Sequence, residues 1–127
     1  MNETISLMGL VATTPRHLVT QSGLPITSFR VACPQTKWNP ETQTWDANAG
    51  DNWYTVTSFH KLAMNVFASI SKGDRIMVTG HVRVRDWDNG DRAGVSVEVE
   101  AISIGHDLAW GTSEFTRTEL VRDALVP

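Results

Sequence analysis

The chain has 127 residues, of which 41% are hydrophobic, so it is long enough for one domain with a modest tail. No apolar run could span a membrane, and no basic segment precedes a hydrophobic one at the start, which predicts a cytosolic protein without membrane partners. Cys33 is the only cysteine and excludes an intrachain disulfide. It lies on the apolar side of a predicted strand, as expected of a reduced core residue.

The charge of the chain is unevenly distributed. The formal net charge is −3, which by itself argues against a nucleic-acid partner. Between residues 16 and 85, however, eight Lys and Arg residues outnumber four Asp and Glu residues. The local field matters more than the total charge for binding a polyanion, so we expect this span to permit salt-sensitive binding.

The N-terminal part of the chain contains two predicted strands. The first covers about residues 4–14 and includes Gly9, which predicts a bulge or the tight bend of a small barrel. It has apolar side chains on both faces, so one face can line a core while the other needs a partner surface. After a turn at residues 21–23, the second strand runs from about residue 25 to residue 33.

A long polar segment, residues 34–52, follows the second strand and is predicted to be a loop. It carries Lys37 and two tryptophans, Trp38 and Trp45. Indoles exposed in such a loop could serve binding. Packing of the segment back onto the domain is an equal alternative.

The third predicted strand, residues 53–60, places Trp53 and Phe59 on the same face. A short amphipathic helix follows and is predicted to end at Gly73 as its C′ residue. Its apolar residues recur at helical spacing; they are Leu62, Ala63, Val66, Phe67 and Ile70.

The fourth and fifth strands are predicted at residues 74–87 and 94–105, separated by a turn at residues 88–91. The chain therefore contains three strands, one helix and two further strands. This order is typical of the OB-fold, an all-β, five-stranded Greek-key barrel with one short helix between strands 3 and 4.

The fourth strand has the clearest alternation in the chain. Its inner row is apolar and contains Ile76, Val78, Gly80, Val82 and Val84. Its outer row is rich in cations and contains Arg75, Met77, Thr79, His81, Arg83, Arg85 and Trp87. Cations can follow a phosphate backbone and an indole can stack on a base, although a charged row is more often a solvated face.

Five stretches of the chain resemble one known family. They are the GLV of the first strand with Pro15 after it, SGLPITSFRVA, WYTVTSFHKLA, ISKGDRIMVTGHVRVRDW and VEVEAISIG. In this order, over about residues 4–105, they resemble bacterial single-stranded DNA-binding protein. The resemblance implies a homotetramer of OB-folds around which single-stranded DNA wraps. It also implies base stacking on Trp38, Trp53, Phe59 and Trp87, with Trp45 as an alternative to Trp38.

Basic residues on or near these elements are the candidates for phosphate contacts. Arg83 and Arg85 are the strongest candidates because they share a strand face with Trp87. Lys72 could instead complement the dipole at the end of the predicted helix. The full candidate set is Arg30, Lys37, Lys61, Lys72, Arg75, Arg83 and Arg85, some of which are expected to be solvated surface residues.

We divide the chain into an OB-fold domain for single-stranded DNA, residues 1–105, and a short tail, residues 106–127. The tail contains Leu108, Trp110 and Phe115 and could pack on a neighbouring subunit. It lacks the acidic tip with which the family's main replication protein recruits repair enzymes. We therefore expect no tail-dependent recruitment, and the resemblance points to a short paralogue.

The expected function is sequence-independent binding and protection of single-stranded DNA in replication, recombination or repair, in the cytoplasm and at the nucleoid. The alternative is an OB-fold module for protein interaction or replication restart. An enzyme is not expected, because the chain has no nucleophile motif and no glycine-rich phosphate loop. The four histidines are not at metal-ligand spacing, so neither a metal nor a cofactor is expected.

Overall fold

The computed structural model describes residues 3–34, 37–46 and 50–118, in which eight strands and one helix occur. In chain order they are β1 (Glu3–Val11), β2 (Arg16–Val19), β3 (Pro25–Pro34), β4 (Lys37–Asn39), β5 (Thr44–Asp46), β6 (Asp51–Phe59), α1 (His60–Ser69), β7 (Arg75–Asp88) and β8 (Ala93–His106). The last residues of the predicted tail, 119–127, lie outside the described residues.

Five of the strands close into a ring, which confirms the predicted OB-fold barrel. The strand order is β1-β7-β8-β6-β3, and β1 also pairs with β3 to complete the ring. All pairs in the ring are antiparallel except β6 with β8, which is parallel. The helix lies between the third and fourth barrel strands, β6 and β7, as predicted.

Inward-facing aliphatic side chains from every strand of the ring fill the barrel. The alternation of β7 holds within the barrel, where Ile76 and Val78 are buried. It fails at Val84, which is 63% exposed, because the β7–β8 hairpin continues beyond the barrel and has no core beneath it. The buried cluster comprises Leu7, Val11, Phe29, Val31, Cys33, Val56, Val66, Ile70, Ile76, Val78 and Val99.

Helix α1 packs on the barrel with a narrower face than the sequence predicts. Ala63 and Val66 are buried, whereas Phe67 is exposed and stacks on His17 of β2, with ring centroids 4.8 Å apart. The hydroxyl of Thr27 on β3 donates to the carbonyl of Ala63 at 2.7 Å. This buried hydrogen bond fixes the helix to the strand beneath it.

The predicted end of the helix is wrong. The last helical residue is Ser69, and Ile70 has extended backbone angles while its N–H still donates to the carbonyl of Val66. Gly73 lies beyond the helix in a tight turn, with φ of 96°, where its N–H donates to the carbonyl of Val11. Lys72 therefore does not lie in the last turn of the helix.

Two features were not predicted. β2 pairs with β3 outside the five-stranded ring, and β4 and β5 form a small hairpin in the segment predicted to be a loop. These strands have only three or four residues, which is too short for a pattern of period two to stand out. The hairpin turn depends instead on Asn39, whose side-chain oxygen accepts the backbone N–H of Glu41.

Two glycines mark places where strands come unusually close. Gly9 lies where β1 leaves β7 and reaches β3, and a Cβ there would be 2.7 Å from the carbonyl oxygen of Ala32. This agrees with the predicted bend of a small barrel. A Cβ on Gly80 would be 2.3 Å from the carbonyl oxygen of Glu100, beside a bulge at which β8 contains one extra residue.

Helix α1 has ten residues, and no helix in the described ranges is long and apolar enough to cross a membrane.

Candidate nucleic-acid interface

A shallow groove runs over the outer surface of β6, β8 and β7. Residues facing outward form two rows across these strands, because Thr55 pairs with Glu98 and Thr57 with Glu100. On the other side of β8, Glu98 pairs with Arg83 and Glu100 with His81. The groove encloses about 330 Å³ and is lined by Thr57, Phe59, His81, Val82, Arg83, Arg85, Glu98, Val99 and Glu100.

Three of the predicted site residues meet in this groove. Phe59, at the end of β6, is half-buried and lines one part of it. Arg83 and Arg85, on the exposed part of β7, line the other. The structure thus places an aromatic ring and two guanidinium groups around one cavity, which is the combination that stacks a base and contacts its phosphates.

Trp53 lies on the same outer side of the barrel, at the start of β6. It is 46% exposed, and the guanidinium carbon of Arg30 lies 5.0 Å from the centroid of its ring. Register explains the contact: Ala32 is opposite Trp53, so Arg30 is two residues away on the same face of β3. A cation held over an indole orients the ring and also adds positive charge beside it.

Trp87 does not line the groove and lies two residues beyond Arg85, on the hairpin that extends past the barrel. It is directly opposite Gly94, and a Cβ on Gly94 would be 2.6 Å from Cζ2 of the indole. The indole therefore lies against the bare backbone of β8, which leaves 41% of the residue exposed. Only glycine at this position permits such a close approach.

Trp38 and Trp45 form a single aromatic unit in the β4–β5 hairpin. They are directly opposite each other across the two strands, with ring centroids 5.4 Å apart and an interplanar angle of 65°. Both are exposed. The backbone of Lys37 lies in β4 opposite Asp46, so this predicted cation belongs to the same hairpin.

Two carboxylates in the groove were not among the predicted site residues. Arg85 Nε lies 3.1 Å from Glu98 Oε2, in an ion pair whose atoms are not aligned as a hydrogen bond. Glu98 and Glu100 both face outward between the cations of β7 and the side chains of β6. Alternation along β8 places both carboxylates on its outer side, and the register of β7 with β8 brings Glu98 next to Arg83 and Arg85.

The remaining predicted cations are dispersed. The ammonium nitrogen of Lys61, in the first turn of α1, is buried and has no hydrogen-bond partner among the described residues, so it would have to move to reach a phosphate. Lys72 is exposed in the turn after the helix. Arg75 is at the other end of β7 from Trp87, with its guanidinium 4.3 Å from the ring centroid of Trp110.

Cys33 is buried at the end of β3, as predicted. Burial raises the pKa of its thiol above the ordinary value, and the nearby negative charge of Asp51 raises it further. A thiol held protonated in this way is a poor nucleophile. Within residues 3–34, 37–46 and 50–118, no group of three or more His, Cys, Asp or Glu residues could hold a metal ion.

Comparison with known proteins assigns this arrangement to one family. Residues 1–106 match the single-strand binding protein family. The chain is 46% identical over 113 residues to single-stranded DNA-binding protein 2 of Tropheryma whipplei, covering 89% of this chain and 74% of that protein. It is 38% identical over 119 residues to single-stranded DNA-binding protein 1 of Streptomyces coelicolor, covering 93% and 75% respectively.

Solved structures agree with the sequence matches. The crystal structure of the small single-stranded DNA-binding protein from Streptomyces coelicolor superposes with a TM-score of 0.75 at 34% identity, covering 87% of this chain and 98% of that one. The second single-stranded DNA-binding protein of Mycobacterium smegmatis gives a TM-score of 0.68 at 26% identity, with coverages of 92% and 100%.

Proposed function

Because the chain belongs to the single-strand binding protein family and binds single-stranded DNA, we propose that it coats and protects the strand without sequence preference by base stacking and phosphate contacts. The family consists of DNA-binding proteins rather than enzymes, in agreement with the predicted absence of an enzymatic function. The proposed setting is replication, recombination or repair at the bacterial nucleoid.

The groove on the outer surface of β6, β8 and β7 is the observation that carries this proposal. Phe59 supplies a ring on which any base can stack, because every base has a π-face. Arg83 and Arg85 supply fixed positive charge for the phosphates that flank the stacked base. Trp53 with Arg30 repeats the combination of a ring and a cation on β6 and β3.

We assign base stacking to Trp53, Phe59 and Trp87, and to the hairpin pair Trp38 and Trp45. We assign phosphate contacts first to Arg30, Arg83 and Arg85. Lys37, Lys61, Lys72 and Arg75 complete the proposed set.

Titration of the full chain with oligo-dT at several salt concentrations tests the proposal. Stacking on tryptophan should quench the intrinsic fluorescence, and the logarithm of the binding constant should fall linearly with the logarithm of salt concentration. The alternative, a protein-interaction module without a DNA role, requires that oligo-dT leaves the fluorescence unchanged.

The ion pair between Arg85 and Glu98 should limit DNA affinity. Glu98→Gln removes the competing carboxylate while keeping the side-chain shape, so oligo-dT should bind about two- to fivefold more tightly, the range of an ion pair at the protein surface in which one partner is exposed. Arg85→Ala should bind less tightly, and its salt slope should fall by about 0.7, the value for one phosphate contact on a single strand.

Glu3→Gln is the matched control, because Glu3 is exposed at the start of β1 and does not line the groove. It makes the same change in net charge and should leave affinity unchanged. If Glu98→Gln and Glu3→Gln increased the affinity for oligo-dT equally, only the total charge would matter and the ion pair would have no specific role.

We also propose that the chain forms a homotetramer. Met8 of β1 and Met77 of β7 are directly opposite each other on the outer surface, and both are exposed. Next to them, the hydroxyls of Ser6 and Thr79 lie 2.8 Å apart. A surface patch that exposes two large apolar side chains on the outside of the barrel favours burial against another copy.

Sedimentation equilibrium of the full chain should therefore give four times the chain mass at micromolar concentration. Met8→Lys places a charge in the patch and should shift the distribution to smaller species. Met64→Lys, an equally exposed methionine on α1, is the control and should leave the mass unchanged. A stable monomer of the unmodified chain would contradict the proposal.

A further inference from the structure

We infer that Trp110, with Arg75 beside it, forms an additional contact for single-stranded DNA, at the end of β7 opposite to Trp87. The inference rests on the proposed function and extends the DNA contacts beyond the barrel into the tail. The ligand at this place would be a nucleobase on the indole and its phosphate on the guanidinium.

The segment after β8 is held in place by several hydrogen bonds to the barrel and to itself. The N–H of Asp107 donates to the carbonyl of Arg75 at 2.9 Å, and the N–H of Trp110 donates to the carbonyl of Asp107 at 3.2 Å. At the end of β8, His106 Nε2 lies 3.1 Å from Asp74 Oδ2. These contacts position the indole before any ligand arrives, so stacking on it requires little ordering of the chain.

The indole of Trp110 is mostly open to solvent. It is 65% exposed, although the guanidinium carbon of Arg75 lies only 4.3 Å from its ring centroid. This is the same pairing of a cation and an indole that Arg30 and Trp53 form on the outer side of the barrel. A large apolar ring that is both fixed and exposed provides a stacking surface for bases of any kind.

The charges around Trp110 permit the approach of a polyanion. A groove of about 360 Å³ adjoins the ring and contains two carboxylates, Asp74 and Asp107. Each carboxylate is already bonded within the chain: Asp74 Oδ2 accepts the N–H of Ser71 and contacts His106, and Asp107 Oδ1 accepts the N–H of Ala109. The guanidinium of Arg75 has no carboxylate partner among the described residues and is available to a phosphate.

The position of Arg75 and Trp110 extends the proposed DNA-binding surface beyond the groove of β6, β8 and β7. Arg75 is the first residue of β7 and Trp87 is the next-to-last; they are twelve residues apart, which corresponds to about 40 Å of extended strand. A short oligonucleotide held in the groove of β6, β8 and β7 would not reach Trp110. A longer one could contact both places, so the contribution of Trp110 should depend on oligonucleotide length.

The test uses the full chain and two oligo-dT lengths, one near the minimum that binds and one several times longer. Trp110→Ala should weaken binding of the long oligonucleotide about five- to hundredfold and leave the short one unchanged. Trp110→Phe should restore most of the loss, because a phenyl ring still stacks. Phe115→Ala is the matched control in the same tail and should bind as the unmodified chain does, because Phe115 is 83% exposed and has no cation beside it among the described residues.

A second measurement avoids substitution altogether. Oxidation of Trp110 by N-bromosuccinimide, followed by mass spectrometry, should be slowed by long oligo-dT and not by short oligo-dT. Equal oxidation with and without the long oligonucleotide would overturn the inference. A loss of sedimenting mass in Trp110→Ala, with unchanged DNA affinity, would also overturn it by showing that Trp110 joins copies of the chain.

The result for the unmodified chain separates this inference from the proposed function. Normal binding of both oligonucleotides with no effect of Trp110→Ala would overturn only the tail contact. Absence of oligo-dT binding by the unmodified chain would overturn both.

Discussion

Gly80→Ala should lower the free energy of unfolding by about 1–3 kcal/mol, the cost of overpacking an unyielding site. A Cβ at this position would lie 2.3 Å from the carbonyl oxygen of Glu100 and 2.9 Å from Cα of Ala101. Both atoms belong to the backbone of β8, so no side chain can rotate away. The clash can be relieved only if β7 and β8, the most extensively paired strands of the barrel, separate next to their bulge.

Gly105→Ala is the matched control for this measurement. Gly105 also lies in β8 opposite β7, where it pairs with Met77, and a Cβ there would have no heavy atom within 4 Å. We expect a change within about 0.5 kcal/mol, as for other surface substitutions. Urea denaturation followed by circular dichroism measures both variants. If Gly80→Ala were as stable as Gly105→Ala, the close approach of the strands at the bulge would not explain why residue 80 is a glycine.

Trp87→Ala should weaken oligo-dT binding by about 1–3 kcal/mol, or roughly five- to 150-fold, as expected for the loss of one stacked base. The salt slope should stay nearly unchanged, because no cation is removed. This pattern is opposite to the one expected for Arg85→Ala, in which the slope changes. Titration at four or five salt concentrations distinguishes the two effects.

Two further variants test the geometry of Trp87. Trp87→Phe keeps an aromatic ring and should retain much of the affinity. Gly94→Ala keeps the indole but pushes it off the backbone of β8, because the new Cβ would lie 2.6 Å from Cζ2. It should therefore weaken binding, although less than Trp87→Ala does. Circular dichroism and sedimentation must first show native content and an unchanged assembly. Binding of Trp87→Ala at the unmodified level would make Trp87 a structural residue.

Much of the barrel was predictable from local sequence. The alternation from Ile76 to Val78, the recurrence of Ala63 and Val66, and the turn residues at 88–91 each report a physical preference that acts over a few neighbouring residues. Such preferences define the type and order of elements. They therefore sufficed for five barrel strands and one helix in the order of an OB-fold, and for placing Trp53 and Phe59 on the same strand face.

The same patterns failed where burial depends on distant chain segments. Val84 continues the apolar row of β7 but has no barrel beneath it, and Phe67 continues the apolar face of α1 but meets His17 rather than the core. β4 and β5 are too short to show a period of two. Their pairing, with Trp38 opposite Trp45, is therefore seen only in the structure.

The candidate site shows the same division. The sequence by itself determined which residues could stack on bases or hold phosphates, because an aromatic ring and a guanidinium carry that chemistry wherever they lie. Only the tertiary structure decided their surroundings: the register of β7 with β8 brings Glu98 next to Arg85, and the path of the tail brings Trp110 over Arg75. These pairs are 13 and 35 residues apart in sequence, and no local pattern specifies the strand register or the path of the tail that brings each pair together.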